Sequence, residues 1–219
     1  MGGADLDAAT STGGLIGRQG HPAVRPEEGV LTSRSRAIGA VLELLHDELV
    51  VVCNGFPSRE AYALRDRPEN FYMIGSMGVA SAIGLGVALA QPQRKVLILD
   101  GDGNVLMGMG TLATIGAVKP RNLLHIVFDN EVYGSTGNQP TISQVVRLDQ
   151  VAKAAGYRNV ERVRELDDLV YEAKAMLKQE GPSFLLVKVS ELADDVGRIA
   201  LEPPAITERF RKAAMGGTA

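Results

Sequence analysis

The chain has 219 residues, of which 45% are hydrophobic and 22% charged, with a formal net charge of -3 and a sequence pI near 5.7. That is enough chain for one α/β domain with a sizeable core plus a tail; the composition excludes a disordered or coiled-coil class, and without a Lys/Arg-rich run nucleic acid is excluded as a partner. The single cysteine, Cys53, excludes a disulfide framework or a cysteine metal cluster and suits a reducing, cytoplasmic setting, while the lack of a long apolar run or a basic-then-apolar amino terminus predicts a soluble, unexported protein with no membrane partner.

Residues 1–30 are rich in Gly, Ala and polar residues without a sustained period and read as a flexible tail. The folded part is expected over residues 31–192, followed by a C-terminal arm over 193–219. A Ser/Thr cap leads into "SRAIGAVLELLHDE", where Ile38, Val41, Leu42 and Leu45 repeat at helical spacing. "LVVVCN" reads as a buried strand, with Gly55, Pro57 and Ser58 punctuating its end. "VASAIGLGVALAQ" reads as a helix of small residues with Ala80, Ile83, Gly84, Val87 and Ala88 on its apolar face; Gly84 and Gly86 cost helix propensity and predict close approach to a sheet. "KVLILD" is a strand apolar on both faces, "GTLATIGAV" a helix ending before Pro120, and "LLHIVFDN" another buried strand. "LDQVAKAAG" and "DDLVYEAKAMLKQEG" are amphipathic helices and "SFLLVKVS" is a last strand. This alternation predicts a doubly wound parallel α/β sheet with helices on both faces.

In such a sheet, ligands bind beyond the carboxyl ends of the strands. Four stretches at these ends carry unusual residues: "NGFPSRE", "GSMG", "GDGN" and "DNEVYGSTGNQPT". "GDGN" lacks the spacing of a dinucleotide fingerprint. Asp102 offers a carboxylate to a divalent cation, and Gly101 and Gly103 let backbone N–H groups approach a phosphate. Asn130 lies 28 residues beyond Asp102, the distance for one helix and one strand to return to the same edge. Its amide oxygen and the carbonyl of Val132 add hard ligands, so the pattern predicts a clamp for Mg²⁺ and a diphosphate. Asp100 is given a structural role. His21, His46 and His125 are not read as catalytic: the first is in the tail, the second on a helix, and the third inside a buried strand.

The glycine-aspartate-glycine, followed by 26 residues and then an asparagine at a strand end, resembles the thiamin diphosphate motif of thiamin-dependent decarboxylases. The resemblance runs from about Ser33 to Ser190 and corresponds to the diphosphate-binding domain of that family. "NGFPSRE", "DRPENFYMIGSMGVASAIGLG" and "YGSTGNQPT" are most similar to the small, beta subunits of sulfopyruvate decarboxylases, then to phosphonopyruvate decarboxylases. The resemblance implies that Asp102, Asn130 and the Val132 carbonyl bind Mg²⁺. It implies that Gly75, Ser76, Gly101, Gly103, Asn104, Gly134 and Ser135 line the diphosphate, with Gly78 and Tyr133 beside them. Met77 falls where the family places a bulky apolar side chain beneath the cofactor. The glutamate that activates the cofactor in this family comes from a separate pyrimidine-binding domain, which the sequence lacks. The expectation is therefore an alpha subunit carrying that domain, in a hetero-oligomer of at least two alpha-beta pairs that decarboxylates a 2-oxo acid. A broader acetolactate-synthase-like activity and a non-catalytic cofactor-binding subunit are the alternatives. Arg59, Gln139 and Thr141 are candidate substrate contacts; Arg65 is assigned to surface ion pairing. The C-terminal segment, with Pro203 and Pro204, is either a subunit-contact arm or a lid.

Overall fold

A computed structural model describes residues 32–191 and 194–216; the expected tail, with His21, lies outside these residues. Helix α1 (Arg34–Glu43) is capped by Ser33, whose Oγ accepts from the backbone N–H of Arg36 at 3.2 Å. Ile38, Val41, Leu42 and Leu45 are all buried, as their spacing predicts. Strand β1 (Leu49–Val52) leads directly into α2 (Phe56–Leu64), a helix where the sequence reading had only strand-end punctuation. The reason is local: Gly55 turns the chain at φ 93°, and Pro57 occupies the first helical turn, where a missing N–H has no cost.

There follow β2 (Asn70–Tyr72), α3 (Ala80–Ala90), β3 (Val96–Gly101), α4 (Asp102–Met107), α5 (Gly110–Val118) and β4 (Leu123–Asp129). A short antiparallel hairpin, β5 (Val132–Tyr133) with β6 (Gln139–Pro140), and a 3₁₀ turn at Ile142–Gln144 come next. The chain continues through α6 (Leu148–Ala155), β7 (Asn159–Val163), α7 (Leu166–Lys178), β8 (Ser183–Lys188) and α8 (Pro203–Ala214).

Six strands form one parallel sheet in the order β2-β1-β3-β4-β8-β7, the doubly wound architecture expected. Successive residues of β3 serve opposite faces: Leu97 and Leu99 join a core with α1 and α7, while Val96 and Ile98 join a core with α3, α5 and α6. Helix α8 packs on the edge strand β2, with Ile206 in the first core and Phe210 in the second; the Phe210 and Phe71 rings lie 5.5 Å apart.

Three sequence expectations are corrected here. The buried face of α3 includes Ser81 and Leu85 rather than Ile83 and Val87, which are only partly buried. Of its two glycines, a Cβ on Gly84 would lie 2.3 Å from Ile98 Cγ1, whereas one on Gly86 would meet nothing within 4 Å. Among the described residues Arg65 makes no surface ion pair: its guanidinium donates to the carbonyl oxygens of Leu42 and Leu45, satisfying the end of α1.

Candidate active site

β2 lies on one side of β1 and β3 on the other, so the connections leaving the paired carboxyl ends of β1 and β3 turn to opposite faces of the sheet and leave a crevice. Residues from all four marked stretches line it, among them Asn54 and Gly55, Met77, Gly101 to Asn104, and Asn130 with Val132 to Ser135. Gly75 and Ser76 lie exposed beside it. Gly78, at φ 90°, is turned onto the junction of α4 and α5, where a Cβ would meet Met107 Cβ at 2.9 Å. Its N–H donates to Asn104 Oδ1 at 2.9 Å, tying the "GSMG" loop to α4.

Asp102 opens α4 and is 2% exposed. Glu131, in the left-handed region at φ 63°, reverses the chain so that the Asn130 side chain and the Val132 carbonyl both turn toward Asp102. One carboxamide atom of Asn130 lies 3.2 Å from Asp102 Oδ1 and 3.0 Å from the Val132 oxygen. As nitrogen it donates to both; as oxygen it completes a triad of oxygens. Adjacent ligands of an octahedral Mg²⁺ with bonds of 2.0–2.1 Å lie about 3.0 Å apart, and the two distances from the Asn130 atom are close to that spacing. Among the described residues no group of three or more His, Cys, Asp or Glu is placed to hold a metal; the carboxylate, carboxamide and carbonyl oxygens gathered here are hard donors.

The Asp102 carboxylate is oriented from behind. Thr141 Oγ1 donates to its Oδ2 at 2.5 Å, and Ser143 Oγ lies 3.0 Å from the same oxygen and 2.8 Å from Asp129 Oδ1. Lys188 Nζ donates to Asp129 Oδ2 at 2.9 Å and also pairs with Glu131. Burial, and then the neighbouring Asp129, push the Asp102 carboxyl up to about 6 against the pull of the Thr141, Ser143 and Gly103 hydrogen bonds. Thr141, expected at the substrate, is 3% exposed with its hydroxyl engaged by Asp102. Gln139 is exposed and bonded within the hairpin to Thr136.

Gly103 faces the Tyr133 ring and the Met77 methyl, where a Cβ would lie 2.6 and 3.1 Å from them. Cys53 lines the same crevice; burial, then Asp100, pushes its thiol up, so it stays protonated. Asp100 and His125 belong to the core: Asp100 accepts from the Gly101 N–H at 3.0 Å, and its Oδ2 lies 3.2 Å from His125 Nε2. His125 Nδ1 lies 3.2 Å from the Tyr157 hydroxyl.

Arg59 stacks beside Phe56, 5.5 Å from the ring centroid, and is not among the cleft-lining residues. The arginine that does line the cleft is Arg34, which sequence reasoning missed because it opens an amphipathic helix. No signal in the sequence marked it, because its pairing with Glu60 arises only from the packing of α1 against α2.

This crevice, with its oxygen triad and Gly-rich walls, lies in a domain of a cofactor-binding class. The thiamine pyrophosphate enzyme C-terminal TPP binding domain matches residues 54–187, and the chain belongs to that family. The sulfopyruvate decarboxylase subunit beta of Methanothermobacter thermautotrophicus is 46% identical over 189 residues, 86% of this chain and 99% of that subunit. The phosphonopyruvate decarboxylase of Streptomyces viridochromogenes is 44% identical over 92% of this chain but only 50% of its own length. Among solved structures, the thiamine diphosphate-dependent 4-hydroxybenzoylformate decarboxylase of Rhodococcus jostii RHA1 superposes with a TM-score of 0.62 at 20% identity, covering 88% of this chain and 36% of that one, a likeness of fold.

Proposed function

We propose that the chain is the beta subunit of a thiamin diphosphate- and Mg²⁺-dependent 2-oxo acid decarboxylase that converts 3-sulfopyruvate to sulfoacetaldehyde and CO₂. The observation that carries this reading is the convergence of Asp102, Asn130 and the Val132 carbonyl at the crevice of a chain 46% identical to a sulfopyruvate decarboxylase beta subunit. In it, Asp102, Asn130 and Val132 hold Mg²⁺, and Gly101, Gly103, Asn104, Gly134 and Ser135 take the diphosphate, with Gly75, Ser76, Gly78 and Tyr133 at its margin. Met77, against Gly103, supports the organic part of the cofactor. Thiamin diphosphate bound there supplies the electron sink that lets a 2-oxo acid lose CO₂.

Among the described residues no Glu lines the cleft. We place the activating carboxylate on an alpha subunit bearing the pyrimidine-binding domain, in a cytoplasmic assembly of at least two alpha-beta pairs. Two observations support a partner. Relatives at 38–46% identity are named as beta subunits. Large apolar side chains are also exposed beside the site: Ile74 and Val79 flank the "GSMG" loop, Met107 ends α4, and Ile142 follows Thr141. None of the described helices is long and apolar enough to cross a membrane.

The 44% identity to a phosphonopyruvate decarboxylase supports a second reading, in which phosphonopyruvate is the substrate. The test is CO₂ release by the chain mixed with the alpha subunit, thiamin diphosphate and Mg²⁺, with each keto acid in turn. The first reading predicts kcat/KM for sulfopyruvate at least about tenfold above that for phosphonopyruvate, ~1.4 kcal/mol of transition-state discrimination. The reverse preference selects the second reading, and no release with any keto acid leaves a non-catalytic cofactor-binding subunit.

A further inference from the structure

Arg34 is 5% exposed yet lines the cleft, a setting in which an arginine is held for its hydrogen bonds rather than for solubility. Its Nε and Nη2 donate to Glu60 at 2.9 and 2.8 Å, and Glu60 is itself fully buried. The Phe56 ring lies alongside, 5.5 Å from the guanidinium carbon. One edge of the guanidinium is therefore fixed by a bidentate carboxylate and an aromatic neighbour. Among the described residues only Nε and Nη2 are engaged, which leaves the remaining nitrogen, Nη1, unshared.

A buried ion pair of this kind adds little stability over an apolar pair of the same volume. What it does provide is a preorganised donor with a set direction. A neighbouring feature completes the corner. The nine-residue helix α2 begins at Phe56, so its first backbone N–H groups lack intrahelical acceptors. A Cβ on Gly134 would lie 3.9 Å from the Phe56 ring, so this corner adjoins the loop that follows the oxygen triad.

We propose that Arg34 is an anion-binding residue of the cleft, its unshared guanidinium edge gripping a tetrahedral oxyanion. Two sources share that chemistry: the terminal phosphate of the cofactor and the sulfonate or phosphonate end of the keto acid. The choice of sources rests on the decarboxylase reading; the anion site rests on Arg34, Glu60 and α2.

The test uses the reconstituted alpha-beta complex carrying Arg34→Lys, which keeps a cation against Glu60 but loses the fork. The double variant Arg34→Leu/Glu60→Leu removes both buried charges together, and thermal melts confirm that it folds. Calorimetric titration with thiamin diphosphate reads the first source and KM for 3-sulfopyruvate at saturating cofactor reads the second. A cofactor Kd raised about tenfold or more in both variants, with KM unchanged, assigns Arg34 to the phosphate; a KM raised by that factor, with Kd unchanged, assigns it to the acid end of the substrate. If neither constant rises more than about twofold, the loss is below that of a single hydrogen bond and the proposal is overturned. Should no keto acid be turned over at all, the decarboxylase reading falls while the titration still decides: an unchanged cofactor Kd then sinks the anion site.

Discussion

Asp102 is held between opposing influences. Burial and Asp129 favour its protonated form, whereas Thr141, Ser143 and the Gly103 N–H favour the carboxylate. Its folded-state value of about 6 exceeds the ordinary 3.8, so the folded protein binds this proton more tightly than the unfolded chain does. In the metal-free protein this group therefore takes stability away as pH rises from about 4 to 6. Only the carboxylate is a metal ligand, so Mg²⁺ affinity should climb up to about tenfold per pH unit below pH 6 and level off above it. Calorimetric titration with Mg²⁺ between pH 5 and 7.5 checks this, and a flat profile would contradict it. Lys188 acts one step back, as the buried counter-charge of Asp129. Lys188→Met strands that carboxylate and should cost roughly 3–5 kcal/mol in urea unfolding; a loss below about 1 kcal/mol would show that Asp129 has another way to shed its charge.

The elements most legible in the sequence were those with the simplest burial. β1, β3, β4 and β8 are covered on both faces, and such strands are continuous apolar runs. β7 escaped because it lies at the sheet edge, where Asn159–Val163 is only partly buried, and β2 because three residues carry no period. Helix α2 was missed for a different reason: Gly55 and Pro57 are turn formers and helix starters alike, and only the sheet behind them decides which. Helix α8 begins with two prolines and buries only Ile206 and Phe210, too narrow a stripe to stand out by periodicity. Within α3, the two glycines give a contrast that sequence alone flattened. Gly84→Ala should cost roughly 1–3 kcal/mol by driving a methyl into Ile98, whereas Gly86→Ala, open to solvent, should stabilise by up to about 1 kcal/mol. Urea melts of the two variants compare them directly, and equal effects would mean that α3 shifts away from β3 freely.

At the scale of the whole molecule, the doubly wound order gathers side chains from distant parts of the chain into one crevice. The spacing of Asp102 and Asn130 was readable because one crossover returns the chain to the same edge, and hard-cation chemistry restricts the residue types that serve there. Arg34 was not readable, since its place beside "NGFPSRE" depends on how α1 packs against α2. The exposed apolar residues Ile74, Met107 and Ile142 were likewise invisible, because exposure of an apolar side chain is set by packing and not by its type. In the proposed function, this crevice binds thiamin diphosphate through a metal held by Asp102, Asn130 and Val132. The most direct test is calorimetric titration of the alpha-beta complex with thiamin diphosphate, with and without Mg²⁺, in the wild type and in Asp102→Ala. Binding that requires Mg²⁺ and weakens at least about a hundredfold in the variant, ~2.7 kcal/mol, is the predicted result. Equal affinity with and without Mg²⁺, or in both proteins, would contradict it.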